Sequence, residues 1–339
     1  MSNSLFFVCK CSTVAELVAL QKTIQMSGVC DNTKVIVHIF THSNGKVMLF
    51  VSQKNYYSVW SIFENGINLL FQVGSYHFAH SFVRGNWRNE AESSFALLAK
   101  SCHDIDLIHH WAGARRCVKV SSFGSVSHFQ KKHKPTGAAD RCLDCPIEKE
   151  CPYSACKIYL DKVKRGHTGW PVNVICPSSL PDIESVTEAL RTGPYGRCVY
   201  ECDNDVCSNQ VVNMEFEGGL TAAFSMVAFT EETCMRKTTI YGSKGELSYD
   251  GHEIRVFDFL TQRSTKHTAD SKAHQTFGMS GHGGADYHLI KAFISAVKND
   301  PSLIRSGPED TLLSHLLVFE AERSRLEGRV VYCEDSNQS

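Results

Sequence analysis

Apolar residues along this chain follow two different periods. From Phe95 to Trp111 they recur at helical spacing, with Leu98, Cys102, Ile105 and Ile108 on one face. The same period returns over Asp286 to Lys298, where Leu289, Ile290, Phe293, Ile294 and Val297 form a stripe. It returns again over Pro308 to Leu326, with proline in the first turn and Leu312, Leu313, Leu316 and Leu317 expected to face inward. Between these helices the period is two. Val211 to Phe216 alternates, turns at Gly218-Gly219 and returns through Leu220, Ala222, Phe224, Met226 and Ala228, which predicts an antiparallel hairpin. Cys117 to Phe123, Thr238 to Tyr241, Glu246 to Tyr249 and Ile254 to Phe259 read as further short strands, and Arg191 to Tyr195 as a Gly/Pro turn. Strands flanked by helices predict an α+β fold: an open, mainly antiparallel sheet with helices on one face.

The first 66 residues have a different character. Val14 to Met26 has helical spacing, while Lys34 to Phe40 and Lys46 to Val51 alternate around a Ser43-Asn44-Gly45 turn. A helix and a hairpin do not make a nucleotide-binding βαβ unit. The glycines up to residue 74 are Gly28, Gly45, Gly66 and Gly74, so no G-x-G-x-x-G loop is present there. Gly281-His282-Gly283-Gly284 mimics such a loop but lacks its last glycine. The expected division is an atypical segment 1–66, a main domain 67–333 and a tail 334–339.

The 339 residues, 42% hydrophobic and 21% charged, are ordinary for a globular protein and too apolar for disorder. A net charge of -1 provides no field for nucleic acid or an anionic membrane. Leu5 to Cys9 is too short to span a bilayer. Fifteen cysteines, an odd number without a secretory leader, point to reduced thiols and a cytoplasmic location.

Several segments together resemble the glucose–fructose oxidoreductase / inositol dehydrogenase (Gfo/Idh/MocA) family over about residues 67–333. Tyr76-His77-Phe78-Ala79-His80-Ser81-Phe82-Val83-Arg84-Gly85-Asn86-Trp87-Arg88 resembles the opening of the family's substrate domain. Leu98-Ala99-Lys100-Ser101-Cys102-His103-Asp104-Ile105-Asp106-Leu107 resembles its catalytic helix, and Ile240 to Leu247, containing Gly242-Ser243-Lys244-Gly245, its recurrent strand turn. Gly281 to Asp286, Ser314-His315 and Ala321 to Ser324 match late helices. The resemblance implies hydride transfer between NAD or NADP and a sugar or polyol, a small-molecule substrate, and a homo-oligomer formed through the sheet face. Two features depart from it. Ala99 stands where many members carry an Asp four residues before the His, and the E-K-P loop has no counterpart beyond Cys9-Lys10-Cys11. The alternative is a catalytically silent ligand-binding or oligomerising protein.

His103, Asp106 and His110 fall at i, i+3 and i+7 and share one face of the predicted helix. A hydroxyl that loses hydride from its carbon must give up its proton, and a His suits that role. With the family resemblance this points to His103, joined by Lys100 as a point charge on a substrate oxygen. His77, His80, Arg84, Trp87 and Arg88 form a cationic and aromatic set suited to an oxygen-rich substrate, or equally to packing between domains. Cys142-x2-Cys145-x5-Cys151-x4-Cys156 has a spacing compatible with a structural Zn²⁺ or with free thiols in a long loop.

Overall fold

The computed structural model describes residues 65–113, 115–176, 180–268, 285–300 and 307–333, together with four two-residue strands between 36 and 52. Strand β1 (Ile36–Val37) pairs with β4 (Val51–Ser52), and β2 (Thr41–His42) with β3 (Lys46–Val47), both antiparallel. Among the described residues β1 and β3 fall within the two stretches whose alternation predicts strands, β4 overlaps the second and β2 follows the first. The helix expected over Val14 to Met26 lies outside the described residues, as do Cys9 to Cys11 and Gly281 to Gly284.

The main body is a nine-stranded sheet. Its strands are β5 (Gly66–Gln72), β6 (Cys117–Ser125), β7 (Asn209–Phe216), β8 (Thr221–Val227), β9 (Met235–Tyr241), β10 (Gly245–Tyr249), β11 (Glu253–Asp258), β12 (Arg263–Thr268) and β13 (Val331–Tyr332). In space they run β12-β11-β10-β9-β5-β8-β7-β6-β13. Every neighbouring pair is antiparallel except β5–β8, which is parallel. Alternation decides the faces: Ile67, Leu69 and Phe71 of β5, Val212, Met214 and Phe216 of β7, and Phe224 and Met226 of β8 are all buried. Asn68, Asn213 and Thr221 point the other way and are exposed.

The buried face is covered by helices. After β5 the chain turns at Gly74, whose φ of 96° excludes most other residues, into the short helix α1 (Ser75–Phe78) and a wide π-turn, Ala79–Arg84. Helix α2 (Ala96–Trp111) follows and stops at Ala112, with left-handed Gly113 beyond it. Between β6 and β7 lies a long excursion of short turns and helix α3 (Ile183–Thr192), which opens on a capping box from Asp182 and Ser185. Helices α4 (Ala285–Lys298) and α5 (Pro308–Glu327) close the body.

The last two helices pack the opposite way round from the sequence expectation. In α5 the buried residues Ser314, Leu317, Val318 and Ala321 stand at i, i+3, i+4 and i+7, while Leu312, Leu313 and Leu316 face outward. In α4, Ala292 and Ala296 are buried and Phe293, Ile294 and Val297 are exposed. In α5 the small residues let the helix approach β6 and α2 closely. In α5, polar groups then complete the contact: Ser122 N–H donates to Ser324 Oγ at 3.0 Å, and Gln210 Nε2 donates to Glu322 Oε2 at 3.2 Å. Only Leu317 of the expected leucine face turns inward.

Candidate active site

Helix α2 carries three polar side chains at i, i+3 and i+4, Lys100, His103 and Asp104, onto the face that meets the sheet. All three are buried, Lys100 at 1% exposure and Asp104 at 0%. Groups of this kind are tolerated inside only when partnered, and strand β9 supplies the partner. Arg236 stands opposite Phe71 in the β9–β5 register and lays its guanidinium 3.9 Å from the Phe71 ring centre. Arg236 Nε donates to Asp104 Oδ1 at 2.8 Å, and Nη2 donates to Asp104 Oδ2 at 3.3 Å and to His103 Nε2 at 2.5 Å. A guanidinium can only donate, so Nε2 of His103 is the accepting nitrogen and the ring proton sits on Nδ1. Burial pushes the Asp104 carboxyl up in pKa, with Arg236 pulling against it.

One turn earlier, Lys100 Nζ lies 3.3 Å from His77 Nε2 and donates to Cys234 Sγ at 3.6 Å. Cys234 Sγ is also 3.6 Å from His77 Nδ1, which closes a three-membered cluster. Cys234 holds a φ of 56°, an uncommon conformation for a non-glycine residue. It places the sulfur over Lys100 and sends its carbonyl to Arg236 Nη1 at 3.2 Å. Burial pulls the Lys100 ammonium down to about 8, with the nearby Cys234 opposing the shift. An amine tuned to that range exchanges a proton near neutral pH.

Of the residues proposed from sequence, the structure brings Lys100, His103 and His77 together. His80 sits beside them in an aromatic setting. Its Nδ1 is 2.7 Å from the Tyr159 hydroxyl, its ring stacks on Tyr195 at 5.0 Å, and Trp170 stands edge-on at 5.2 Å. Trp170 also lies 4.8 Å from the His77 ring and so joins the two histidines. Desolvation, followed by the Arg84 charge, drives His80 down to about 3, which keeps it neutral. Arg84 turns away, toward the cysteine-rich loop. Trp87 packs half-buried on the core. Arg88 Nε and Nη2 both donate to Asp203 at 3.0 Å on the surface, and this contact holds the Asp203 carboxyl at about 2. Asp106, which the helical spacing put on the His103 face, points instead at Ser314 and His315 of α5.

Asp104, Arg236 and Cys234 escaped the sequence reading. Asp104 adjoins His103 and was open to view as a pair. Arg236 gives no local signal, because its partner lies 132 residues away. The zinc expectation needs correction: among the described residues no group of three or more His, Cys, Asp or Glu is placed to hold a metal ion. The sequence series breaks at its fourth member. Cys142, Cys145 and Cys151 line one cavity, whereas Cys156 does not and begins a separate π-turn, Cys156–Leu160.

The family model described as "Oxidoreductase family, C-terminal alpha/beta domain" matches residues 69–332, so the chain belongs to the Gfo/Idh/MocA oxidoreductase family. No curated protein gives a significant match. Among solved structures, an oxidoreductase domain protein from Kribbella flavida is 13% identical with a TM-score of 0.51, covering 83% of this chain and 62% of that one. An NAD binding oxidoreductase from Klebsiella pneumoniae is 15% identical with a TM-score of 0.48, covering 83% and 62%. A levoglucosan dehydrogenase in complex with NADH and levoglucosan is 12% identical with a TM-score of 0.48, covering 82% and 62%. The chain thus spans about three fifths of the length of the solved structures it matches. The likeness at this identity concerns the fold, and it agrees with the open, mainly antiparallel sheet flanked by helices. Among the described residues no helix is long and apolar enough to cross a membrane.

Proposed function

We propose that residues 67–333 are the substrate-side domain of an oxidoreductase acting on a sugar or polyol-like small molecule, with Lys100 and His103 managing the proton of the reacting hydroxyl. The observation that carries this reading is a buried Lys100 held near 8, one helical turn from a His whose tautomer is set by Arg236. In the alcohol-to-carbonyl direction the neutral amine of Lys100 accepts the hydroxyl proton. His103, with Nε2 fixed on Arg236, presents its Nδ1–H as a donor to a substrate oxygen. His77 and Cys234 orient the amine. Both principal groups are covered, so a substrate must displace what lies over them.

Family membership implies NAD or NADP as the redox partner. The described residues do not fit a dinucleotide. The parallel pair β5–β8 leads from β5 into a single glycine and a four-residue helix, and the space beside Gly74 is filled by Thr233, 2.6 Å from where a Cβ would stand. No step is therefore routed through the nucleotide. This misfit, with the covered cluster, favours as a second reading a protein that binds its ligand without turning it over. We further propose that the outer sheet face, a shallow groove bordered by Lys119, Asn213 and Tyr241, pairs with a second copy in a cytoplasmic homo-oligomer.

The test separates binding from turnover. The full chain is screened against a panel of cyclic polyols and aldoses by ligand-detected NMR, then assayed with NAD⁺ or NADP⁺ for nicotinamide reduction. Polyol binding that Lys100→Met abolishes supports the site, and reduction supports the oxidoreductase reading. Binding without reduction selects the second reading, and absence of any polyol binding refutes the site.

A further inference from the structure

Arg84 is the largest fully buried side chain of the body, at 1% exposure. It ends the π-turn Ala79–Arg84 and ties that turn to two distant loops. Its Nε donates to the Arg197 carbonyl at 2.7 Å, and its Nη2 to the Tyr153 carbonyl at 2.9 Å and to Cys142 Sγ at 3.4 Å. Nη1 is buried with no hydrogen-bond partner. A guanidinium keeps its charge inside a protein, and a buried charge is costly without an opposite one. The groups that hold Arg84 do not provide it. Two are neutral carbonyls, and Cys142 Sγ itself donates to the Arg197 carbonyl at 3.9 Å, as a thiol does. Among the described residues no carboxylate makes an ion pair with this side chain.

Arg84 is also part of the wall of a cavity of about 200 Å³, far more room than one water needs. The sulfurs of Cys142, Cys145, Cys151 and Cys198 line the same space. Burial raises the Cys151 and Cys198 thiols, so both stay protonated near neutral pH. Ile147, Pro152 and Val199 add apolar wall. Two carboxylates border the cavity without reaching Arg84. Glu148 accepts a hydrogen bond from the Ser154 hydroxyl, and Glu150 is exposed to solvent. The cavity is therefore mostly apolar and polarizable, with one uncompensated cation in its wall. It is also smaller than the pockets of about 300–1,000 Å³ that take drug-sized ligands.

We propose that this cavity binds a small monocarboxylate with a short apolar tail, and that Arg84 is its anchor. A carboxylate oxygen accepts from Nη1, the one guanidinium nitrogen without a partner, in a charge-assisted bond that gains strength where water is excluded. The tail lies against the sulfurs and against Ile147 and Val199, which suit a soft, weakly hydrated group. Glu148 and Glu150 border the same space and repel a second negative charge, so dicarboxylates and phosphate dianions are disfavoured. The volume limits the tail to a few carbons. The site is separate from the Lys100–His103 cluster and stands whether or not that cluster turns over a polyol.

Butyrate is the probe, with succinate and thiocyanate as comparisons, all on the purified full chain. Saturation-transfer NMR at neutral pH should show butyrate bound with a Kd of about 1 mM or tighter, and succinate on the order of 10-fold weaker. Arg84→Gln should abolish butyrate binding. Should that variant fail to fold, Ala138→Leu decides, because it fills the cavity from a half-buried loop position and leaves Arg84 in place; it too should abolish binding. Trypsin cuts after Arg141 and Lys149, so the peptide Cys142 to Lys149 reports on this wall. Saturating butyrate should slow its alkylation by iodoacetamide. No butyrate binding at about 10 mM would overturn the proposal. So would thiocyanate bound without butyrate, butyrate binding unchanged by the variant, or a metal ion found on the four thiols of the purified chain.

Discussion

Replacing Lys100 by Met tests whether burial sets its proton affinity. The side chain is 1% exposed and its ammonium is pulled from 10.5 to about 8, chiefly by desolvation. Between those two values the unfolded chain holds a proton that the folded chain has released, so stability rises with pH across the window. The penalty of folding around a charged lysine is fully present below about 8 and fades toward 10.5. At about 1.36 kcal/mol per pH unit the whole gap corresponds to roughly 3 kcal/mol. Methionine keeps the length and the packing against Phe71, which lies 5.5 Å from Nζ, and has no charge to desolvate. Its loss of the contacts to His77 and Cys234 is a constant offset of about 1 kcal/mol. Denaturant titrations of both proteins from about pH 7 to 10 should therefore show the native chain gaining roughly 2–3 kcal/mol on the variant as pH rises. A difference flat to within about 0.5 kcal/mol would show that Lys100 is charged and solvated in the fold, and the proton-transfer role would go with it.

Two further expectations concern the same cluster. His103→Gln, which keeps an acceptor for Arg236 and avoids emptying a buried position, should lower turnover by about 10²–10⁴-fold where turnover is measured, while His110→Ala leaves it nearly unchanged; equal effects would remove His103 from the chemistry. Arg236→Leu strands the fully buried Asp104 without its guanidinium and should cost about 3–5 kcal/mol at neutral pH, with Asp104→Asn added to it recovering part of the loss in the same denaturation assay.

The hairpin of β7 and β8, the strands β6 and β9 to β11 and the helices α2, α4 and α5 were legible because each has one period and one dominant turn signal. Their lateral order was not. The parallel β5–β8 contact joins strands 155 residues apart, as in the register Gly66↔Thr221, and nothing local marks it. Orientation failed where two faces compete. In α5 the leucine stripe and the Ser314, Leu317, Val318, Ala321 stripe are both helical in period, and close approach favoured the smaller residues. The site shows the same limit. His103 and Lys100 are named on the family resemblance of their helix and His77 as part of a cationic and aromatic segment, and Lys100 lies 3.3 Å from His77 in the fold. The tautomer of His103 and the ion pair of Asp104 depend on Arg236, which comes from a strand more than 130 residues away, whereas burial is what lowers Lys100. A lone charged residue on an alternating strand reads as a solvent-facing position, and Arg236 is 6% exposed because the aromatic ring of Phe71 and the carboxylate of Asp104 together replace water around it. One helix therefore carries Lys100, His103 and Asp104 into the interior, burial lowers the proton affinity of Lys100, and a distant strand fixes the tautomer of His103.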